Sequence, residues 1–193
     1  MPTKEPRPQI VGADSGPEPP YPLRMQGEVV SGFGRGSKEL GIPTANIPVT
    51  NVPWIDSVAS GVYFGYAALD LPATHPALQE ATPAPARPSP PASNPNTRVY
   101  PMVMSIGYNP FYRNTVRSAE VHILATFASD FYGAQMRVKI LGYIRPELDY
   151  VDKESLVRDI ETDIEVARRS LERENWKSDG KGEDAWLWGV EKE

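Results

Sequence analysis

Short runs rich in β-branched and aromatic residues recur along the chain, and clusters of glycine, proline and asparagine separate them. This is the pattern of β-strands joined by turns. The runs cover residues 26–32, 61–68, 99–106, 119–126 and 136–144. No helical pattern alternates with them, so five or six short strands in succession predict an antiparallel barrel or sandwich.

A helix is predicted after the last of these runs. Asp152 is a suitable N-cap, and Glu154 adds negative charge to the first turn. Apolar residues then follow at spacings of four, four, three and four, which is one face of an amphipathic helix. They are Leu156, Ile160, Ile164, Ala167 and Leu171. We expect this face to pack on the β domain, with charged residues such as Asp163 around it.

Proline divides the chain into segments. The sequence has 21 prolines in 193 residues, about twice the usual share, and most lie in two stretches. Residues 1–22 are interpreted as a disordered N-terminal arm and residues 70–98 as a flexible Pro/Ala-rich insert. The insert falls within a barrel domain predicted at 23–177. Residues 178–193 are interpreted as an acidic C-terminal tail.

The absence of cysteine and the presence of two histidines limit the available chemistry. Disulfides, thiolate metal sites and cysteine nucleophiles are excluded. His75 falls in the proline-rich stretch, so His122 is the one histidine that we expect to be ordered. Any metal should then be a hard cation with oxygen ligands, such as Mg²⁺.

Charge and hydropathy limit the expected partners and location. The net charge of −5 argues against nucleic-acid binding, which usually needs a basic face. No apolar run approaches the ~20 residues of a membrane span, and the first 22 residues lack the apolar core of a secretory signal. We therefore expect a cytoplasmic chain without an integral membrane segment, which fits the lack of cysteine.

The densest chemical signal is the glycine-rich segment 32–46. Glycines alternate from Gly32, and Arg35 and Lys38 lie among them. Glycine lets backbone N–H groups converge on an anion, and the two cations add positive charge. The segment lacks the Gly-Lys-Ser/Thr ending of a Walker A loop, and it does not match the dinucleotide-binding fingerprint. A phosphate cradle and a plain glycine-rich turn both remain open.

Thr44 and Asn46 form a second candidate site. They are two residues apart, so their side chains point the same way in an extended chain. A hydroxyl and an amide oxygen bind Mg²⁺ weakly alone, but well when a nucleotide polyphosphate supplies negative charge. The alternative is that both side chains cap a turn.

Glu120 is a candidate base. Strand alternation places Glu120 and His122 on one face and Val121 and Ile123 on the other. Glu120 is either an exposed charge at a strand end or a base at a barrel mouth, and His122 is interpreted as structural. Arg145, between the last strand and the helix, either pairs with an anion or caps the helix entrance.

The ordered set of motifs resembles one known family. The matching stretches are 32–46 (Gly-Phe-Gly-Arg-Gly-Ser-Lys-Glu-Leu-Gly-Ile-Pro-Thr-Ala-Asn), 61–65 (Gly-Val-Tyr-Phe-Gly), 105–112 (Ser-Ile-Gly-Tyr-Asn-Pro-Phe-Tyr), 120–123 (Glu-Val-His-Ile), 130–133 (Asp-Phe-Tyr-Gly) and 142–147 (Gly-Tyr-Ile-Arg-Pro-Glu). They resemble riboflavin kinase, in its monofunctional eukaryotic form. The resemblance covers roughly 24–72 and 99–175, and the insert and the termini depart from it.

The resemblance implies a fold and a reaction. The expected fold is a mainly β, six-stranded antiparallel Greek-key β-barrel with a C-terminal α-helix packed on it. The expected reaction transfers the γ-phosphoryl group of Mg·ATP to the 5′-hydroxyl of riboflavin, giving FMN and ADP, with Glu120 as general base. Thr44 and Asn46 would hold Mg²⁺, for which Zn²⁺ and Mn²⁺ are alternatives.

The resemblance also implies substrate contacts and partners. Gly32, Arg35 and Lys38 would lie along the ATP phosphates, and Ile123 and Tyr132 would border the adenine nucleotide. Arg145 and Tyr150 would border the flavin, and 105–117 would form a mobile flap. Riboflavin and ATP are the expected partners of a monomer. A non-catalytic flavin- or nucleotide-binding barrel is the alternative.

Overall fold

A computed structural model of the protein describes residues 6–31, 40–80, 94–108, 113 and 115–190. Within these residues it contains six β-strands and one long α-helix. The strands are β1 (Leu23–Glu28), β2 (Ala45–Asn46), β3 (Gly61–Asp70), β4 (Thr97–Tyr108), β5 (Arg117–Ile123) and β6 (Gln135–Pro146), and the helix is α1 (Lys153–Glu172). Short 3₁₀ turns lie at Pro76–Leu78, Glu174–Trp176 and Gly182–Trp186.

The strands form one antiparallel sheet in the order β1-β6-β3-β4-β5-β2. The N–H of Val30, just after β1, donates to the carbonyl of Asn46 in β2 at 3.0 Å. This bridge brings the two edges of the sheet together, so the sheet curls into a barrel. The predicted six-stranded antiparallel fold with a C-terminal helix is confirmed. The pattern of the sequence misses β2, because two residues are too few to show alternation.

Alternation along each strand produces two apolar cores, one on each face of the curled sheet. In β3, Tyr63 points into the barrel interior, whereas Phe64 and Tyr66 point to its outer face. The outer core contains Val166, Ala167 and Leu171 of α1. The helix therefore covers the outside of the barrel, as the apolar stripe predicts.

Asp152 is confirmed as the N-cap of α1, because its carboxylate accepts a hydrogen bond from the N–H of Ser155 at 2.6 Å. The structure corrects the expected environment of Asp163. The sequence places this residue among the solvent-facing charges, but its side chain is 2 % exposed. It shares the buried face with Asp159, because Asp163 lies about one turn before Val166 and Asp159 about two turns before it.

The structure also differs from the expected disordered arm at 1–22. Residues 1–5 lie outside the described residues, but the following segment packs on α1 and the turn after it. Val11 N–H donates to Ser170 Oγ at 3.0 Å, and Trp176 Nε1 donates to the carbonyl of Ala13 at 2.9 Å. Proline and glycine prevent a regular element here, so side chains of the helical region satisfy the backbone of the arm instead.

The acidic tail at 178–193 has defined structure as far as residue 190. Leu187 and Trp188 are buried in the outer core. Asp184 forms a buried ion pair with Lys139 of β6. The acidic composition predicts a solvated tail, but these apolar side chains hold the segment against the barrel. Residues 191–193 lie outside the described residues.

The ends of the expected insert at 70–98 are part of the fold, whereas residues 81–93 lie outside the described residues. Asp70 pairs with Arg137 through two 2.8 Å hydrogen bonds and accepts a third from the Thr97 hydroxyl at 2.5 Å. His75 is buried, and its Nδ1 accepts a hydrogen bond from the N–H of Ala77 at 3.2 Å. The expectation that only His122 is ordered is therefore corrected.

The hydrogen bonds of Asp70 should make the stability of the fold depend on pH. Burial alone would raise the pKa of Asp70, but the hydrogen bonds from Arg137 and Thr97 hold the pKa below its ordinary value of 3.8. The stabilisation from Asp70 is thus present above pH 3.8 and is lost as the pH falls through the lower, folded-state pKa. Asp70→Asn should lower the free energy of unfolding by about 1 kcal/mol at pH 7, after allowance for partial exposure. Urea unfolding should show that the difference in free energy of unfolding between wild type and Asp70→Asn becomes smaller below about pH 4. A difference that stays constant with pH would contradict the assignment.

Candidate active site

Two clefts lie side by side on the barrel, and residues of α1 help to line both of them. The first has a volume of 510 Å³, and the second has a volume of 430 Å³. Thr44 and His122 line both clefts. Two ligands bound in these clefts would therefore meet beside the same two residues.

Strand register places the candidate residues in one row across the sheet. Asn46 of β2 pairs with Glu120 of β5, and Glu120 pairs with Ser105 of β4. Ser105 pairs with Val62 of β3, which pairs with Arg145 of β6. Directly opposed residues have Cβ atoms ~5 Å apart. Three residues far apart in the sequence, Asn46, Glu120 and Arg145, thus share one surface. Ser105, which was expected in the flap, lies in the same row.

The predicted alternation of β5 is confirmed. Val121 and Ile123 lie in the barrel interior, and Glu120 lines the second cleft on the outer face. Ile123 also borders the first cleft. Glu120 therefore lies in a cleft and not at an isolated strand end.

Thr44 and Asn46 are the predicted neutral oxygen donors. Thr44 lines both clefts, whereas Asn46 lines neither and is linked to the site by its pairing with Glu120 across the strands. Among the described residues, no group of three or more histidine, cysteine, aspartate or glutamate side chains is arranged to hold a metal ion. The donors fit a hard cation that receives its remaining oxygen ligands from a bound phosphate chain.

His122 contributes more to the site than the sequence indicates. Its Nδ1 lies 2.7 Å from the carbonyl oxygen of Pro43, next to Thr44. A carbonyl only accepts hydrogen bonds, so Nδ1 carries the proton. Burial lowers the pKa of His122, although the bond to Pro43 opposes this shift and the charge of Arg168 adds to it. The spacing of two from Glu120 is the one sequence signal that links His122 to the site.

Carboxylates of α1 hold the two predicted flavin residues in the second cleft. Arg145 donates to Asp163 at 2.8–3.0 Å through Nε and a terminal nitrogen. Burial would lower the pKa of Arg145, but the hydrogen bonds and charge of Asp163 raise it overall. Tyr150 donates to Asp159 at 2.9 Å, and burial together with this bond raises the pKa of Tyr150 to about 12. Of the two alternatives for Arg145, the structure shows an ion pair with a carboxylate.

Tyr132 lines the first cleft and is 53 % exposed. Gly32, Arg35 and Lys38 lie outside the described residues, so the predicted phosphate cradle is untested. Of the predicted flap at 105–117, residues 105–108 belong instead to β4 and Arg117 to β5, and residues 109–112 and 114 lie outside the described residues.

The second cleft has a largely apolar lining. Its apolar residues are Leu40, Ile42, Val62, Val103, Met104, Leu148, Leu156 and Ile160. Leu156 and Ile160 are half-buried, because this end of the helical stripe faces the cleft and not the core. The stripe itself is a visible sequence signal, but it does not distinguish a core contact from a cleft wall.

Comparisons with known proteins agree with this geometry. Residues 19–171 match the family model for flavokinase, described as riboflavin kinase. The chain is 59 % identical over 176 residues to riboflavin kinase from Pyricularia oryzae, covering 90 % of this chain and 83 % of the relative. It is 56 % identical over 193 residues to riboflavin kinase from Chaetomium globosum, covering 90 % and 82 %. The crystal structure of riboflavin kinase from Trypanosoma brucei superposes with a TM-score of 0.53 at 25 % identity, covering 79 % and 82 %.

The barrel and the paired clefts agree with these matches, which identify the protein as a phosphotransferase. The chain belongs to the riboflavin kinase family. In the part of the chain that the structure describes, no helix combines the length and the apolar character needed to cross a membrane.

Proposed function

We propose that the protein transfers the γ-phosphoryl group of ATP to the 5′-hydroxyl of riboflavin, giving FMN and ADP. The observation that carries this proposal is the pair of clefts that share Thr44 and His122, with Glu120 in the second cleft. Phosphoryl transfer needs two substrates aligned end to end and negative charge neutralised between them. The shared boundary supplies the meeting point for such an alignment.

The chemistry of each cleft supports one substrate assignment. The second cleft combines apolar walls with Arg145 and Tyr150, which suits the flat ring system and polar edge of a flavin. The first cleft is bordered by Ile123, by Tyr132 and by Gly41, which follows the glycine-rich residues 32–39. This lining suits an adenine nucleotide whose phosphates extend towards Thr44.

Glu120 acts as the general base in this mechanism. The carboxylate takes the proton of the riboflavin 5′-hydroxyl as the oxygen attacks the γ-phosphorus and the bond to the ADP oxygen breaks. The proton then passes from Glu120 to solvent. Thr44 and Asn46 would hold Mg²⁺ together with the ATP phosphates, and the cation would neutralise phosphate charge. Arg145 and Tyr150 orient the flavin.

The remaining features of the proposal follow from the composition and the arrangement of the site. Mg²⁺ is the working cation because the donors are neutral oxygens, with Zn²⁺ and Mn²⁺ as alternatives to compare. We propose that the enzyme acts as a monomer. The lack of cysteine supports a reducing compartment, and we place the enzyme in the cytoplasm.

The direct test incubates the purified protein with riboflavin and Mg·ATP and measures FMN by chromatography. Formation of FMN and ADP in equal amounts is the expected result, and omission of the divalent cation should abolish it. A protein that binds both compounds without forming FMN would instead be the non-catalytic flavin- or nucleotide-binding barrel.

Thr44→Ala is expected to impair the use of Mg·ATP. Because the variant lacks one oxygen donor to the cation, the KM for Mg·ATP should rise at least about tenfold. The KM for riboflavin should change by less than about twofold, since the flavin contacts remain. Steady-state kinetics over a range of Mg²⁺ concentrations measures both values. Thr50→Ala, at an exposed turn, is the matched control, and an unchanged Mg²⁺ and ATP dependence in Thr44→Ala would remove Thr44 from the metal site.

A further inference from the structure

The N-terminal arm reaches the two carboxylates that lie behind the second cleft. Arg7 donates to the carbonyl of Asp159 at 3.2 Å, and its guanidinium lies 3.7 Å from the Asp159 carboxylate. The same guanidinium forms an ion pair with Asp163. The side chains of Arg7, Asp159 and Asp163 are 17 %, 11 % and 2 % exposed. The contact joins the start of the described chain to the middle of α1.

Each of these carboxylates also holds one flavin-side residue. Asp163 accepts hydrogen bonds from Arg145, and Asp159 accepts one from Tyr150. Arg7 therefore shares one carboxylate with Arg145 and the other with Tyr150. A residue of the arm and two residues of the cleft form a single hydrogen-bonded network.

Charge balance in this network depends on Arg7. Asp159 and Asp163 are four residues apart on α1, where like charges repel. Two carboxylates face two guanidinium groups, so the network is neutral only when both Arg7 and Arg145 are present. Without Arg7, Arg145 alone would face two partly desolvated carboxylates, and its position would change because electrostatic forces are strong in such surroundings.

The position of Arg7 is fixed by the docking of the arm and not by its own ion pairs alone. Arg173 donates to the carbonyl of Gly12 at 2.8 Å and to the carboxylate of Asp14 at 3.0 Å. Val11 is held by Ser170. These contacts lie several residues beyond Arg7 along the arm, so they anchor the segment independently.

We propose that Arg7 is a positioning residue for the flavin. By holding the Asp159 and Asp163 carboxylates, the N-terminal arm keeps Arg145 and Tyr150 in place in the second cleft. The inference rests on the proposed function, because it takes the second cleft as the flavin site. Arg7 precedes residue 19, where the match to the family begins, so the arm contributes to the site from outside the shared domain.

The test compares Arg7→Ala with wild type for riboflavin binding and for catalysis. Equilibrium binding is measured by the quenching of riboflavin fluorescence, and KM values are measured for both substrates. The Kd and KM for riboflavin should rise by about 5- to 150-fold, the usual range for coupling between two sites, whereas the KM for Mg·ATP stays within about twofold. Arg169→Ala removes an exposed arginine that pairs with Glu165 on the same helix, and it should match wild type.

Arg7→Lys serves as the second variant. Lysine keeps the charge but lacks the planar fork that reaches two carboxylates at once, so its Kd for riboflavin should fall between those of wild type and Arg7→Ala. If Arg7→Ala does not fold, a Kd for riboflavin above wild type in Arg7→Lys supports the inference, and a wild-type Kd overturns it.

Two other outcomes would overturn the inference. One is an Arg7→Ala protein that has a lower Tm but unchanged Kd and KM for riboflavin, which would show that the contact only stabilises the fold. The other is an equal rise in the KM values for riboflavin and Mg·ATP, which would show a general loosening. Both differ from a failure of the proposed function, in which the wild-type protein itself forms no FMN.

Discussion

Replacing Glu120 with glutamine is expected to lower kcat for FMN formation by about 10²–10⁴-fold, the usual contribution of a general base. Glutamine has nearly the same size and can still accept a hydrogen bond, but its amide takes up no proton at neutral pH. Glu120 lies on the outer face of β5, between Ser105 and Asn46 in register. The fold does not depend on its charge for core packing, so the variant should unfold at nearly the wild-type temperature.

Steady-state FMN synthesis, together with riboflavin binding by fluorescence, separates a chemical effect from a binding effect. A loss confined to kcat, with a Kd for riboflavin close to wild type, identifies an interaction made in the transition state. Glu161→Gln is the matched control, since Glu161 is exposed on α1. Wild-type turnover in Glu120→Gln would remove this carboxylate from the mechanism and leave substrate positioning as the source of catalysis.

Strand periodicity explains why much of the site could be anticipated. A side chain two residues from another in a strand lies on the same face, so Glu120 and His122 are linked by the sequence alone. Register across strands is not encoded in any one segment. Ser105 joins Glu120 only because β4 and β5 pair at that position, and the three-dimensional structure is needed to see it.

Buried charges were the features that sequence patterning could not predict. Asp159 and Asp163 lie on the face of α1 that carries Val166, but aspartate is normally read as a solvent-facing residue. Their burial depends on Arg145 and on Arg7, which is 156 residues away from Asp163 along the chain. A charged side chain is buried when a partner of opposite charge pairs with it. A partner so distant along the chain leaves no local signal in the sequence.

Composition was an equally poor guide to the two ends of the chain. Proline content suggested disorder in the arm, and acidity suggested a solvated tail, yet both segments pack against α1 or the barrel. In each segment a few specific contacts hold the chain in place. Examples are the hydrogen bond from Trp176 to the carbonyl of Ala13 and the ion pair between Lys139 and Asp184. Average composition is insensitive to these few residues.

A substitution in the C-terminal tail is expected to have a large effect on stability. Trp188→Ala should lower the free energy of unfolding by about 3–5 kcal/mol, the usual cost of removing a large buried aromatic side chain. Trp188 is 2 % exposed and lies in the outer core with Leu187 and Leu171. A loss of this size is a large part of the total stability of an ordinary domain, so the variant should lose about 10 °C in Tm.

Trp186→Ala is the matched control, because it removes the same side chain two residues away. Trp186 is only half-buried at the edge of the outer core, and the guanidinium of Arg24 lies 5.3 Å from its ring centre. An interaction of this kind contributes about 1 kcal/mol, so urea unfolding should show a several-fold smaller effect than for Trp188→Ala. Small and equal effects of both substitutions would mean that the tail is not held in the outer core. The unequal result would show instead that the barrel depends for its stability on residues beyond 171, where the match to the family ends.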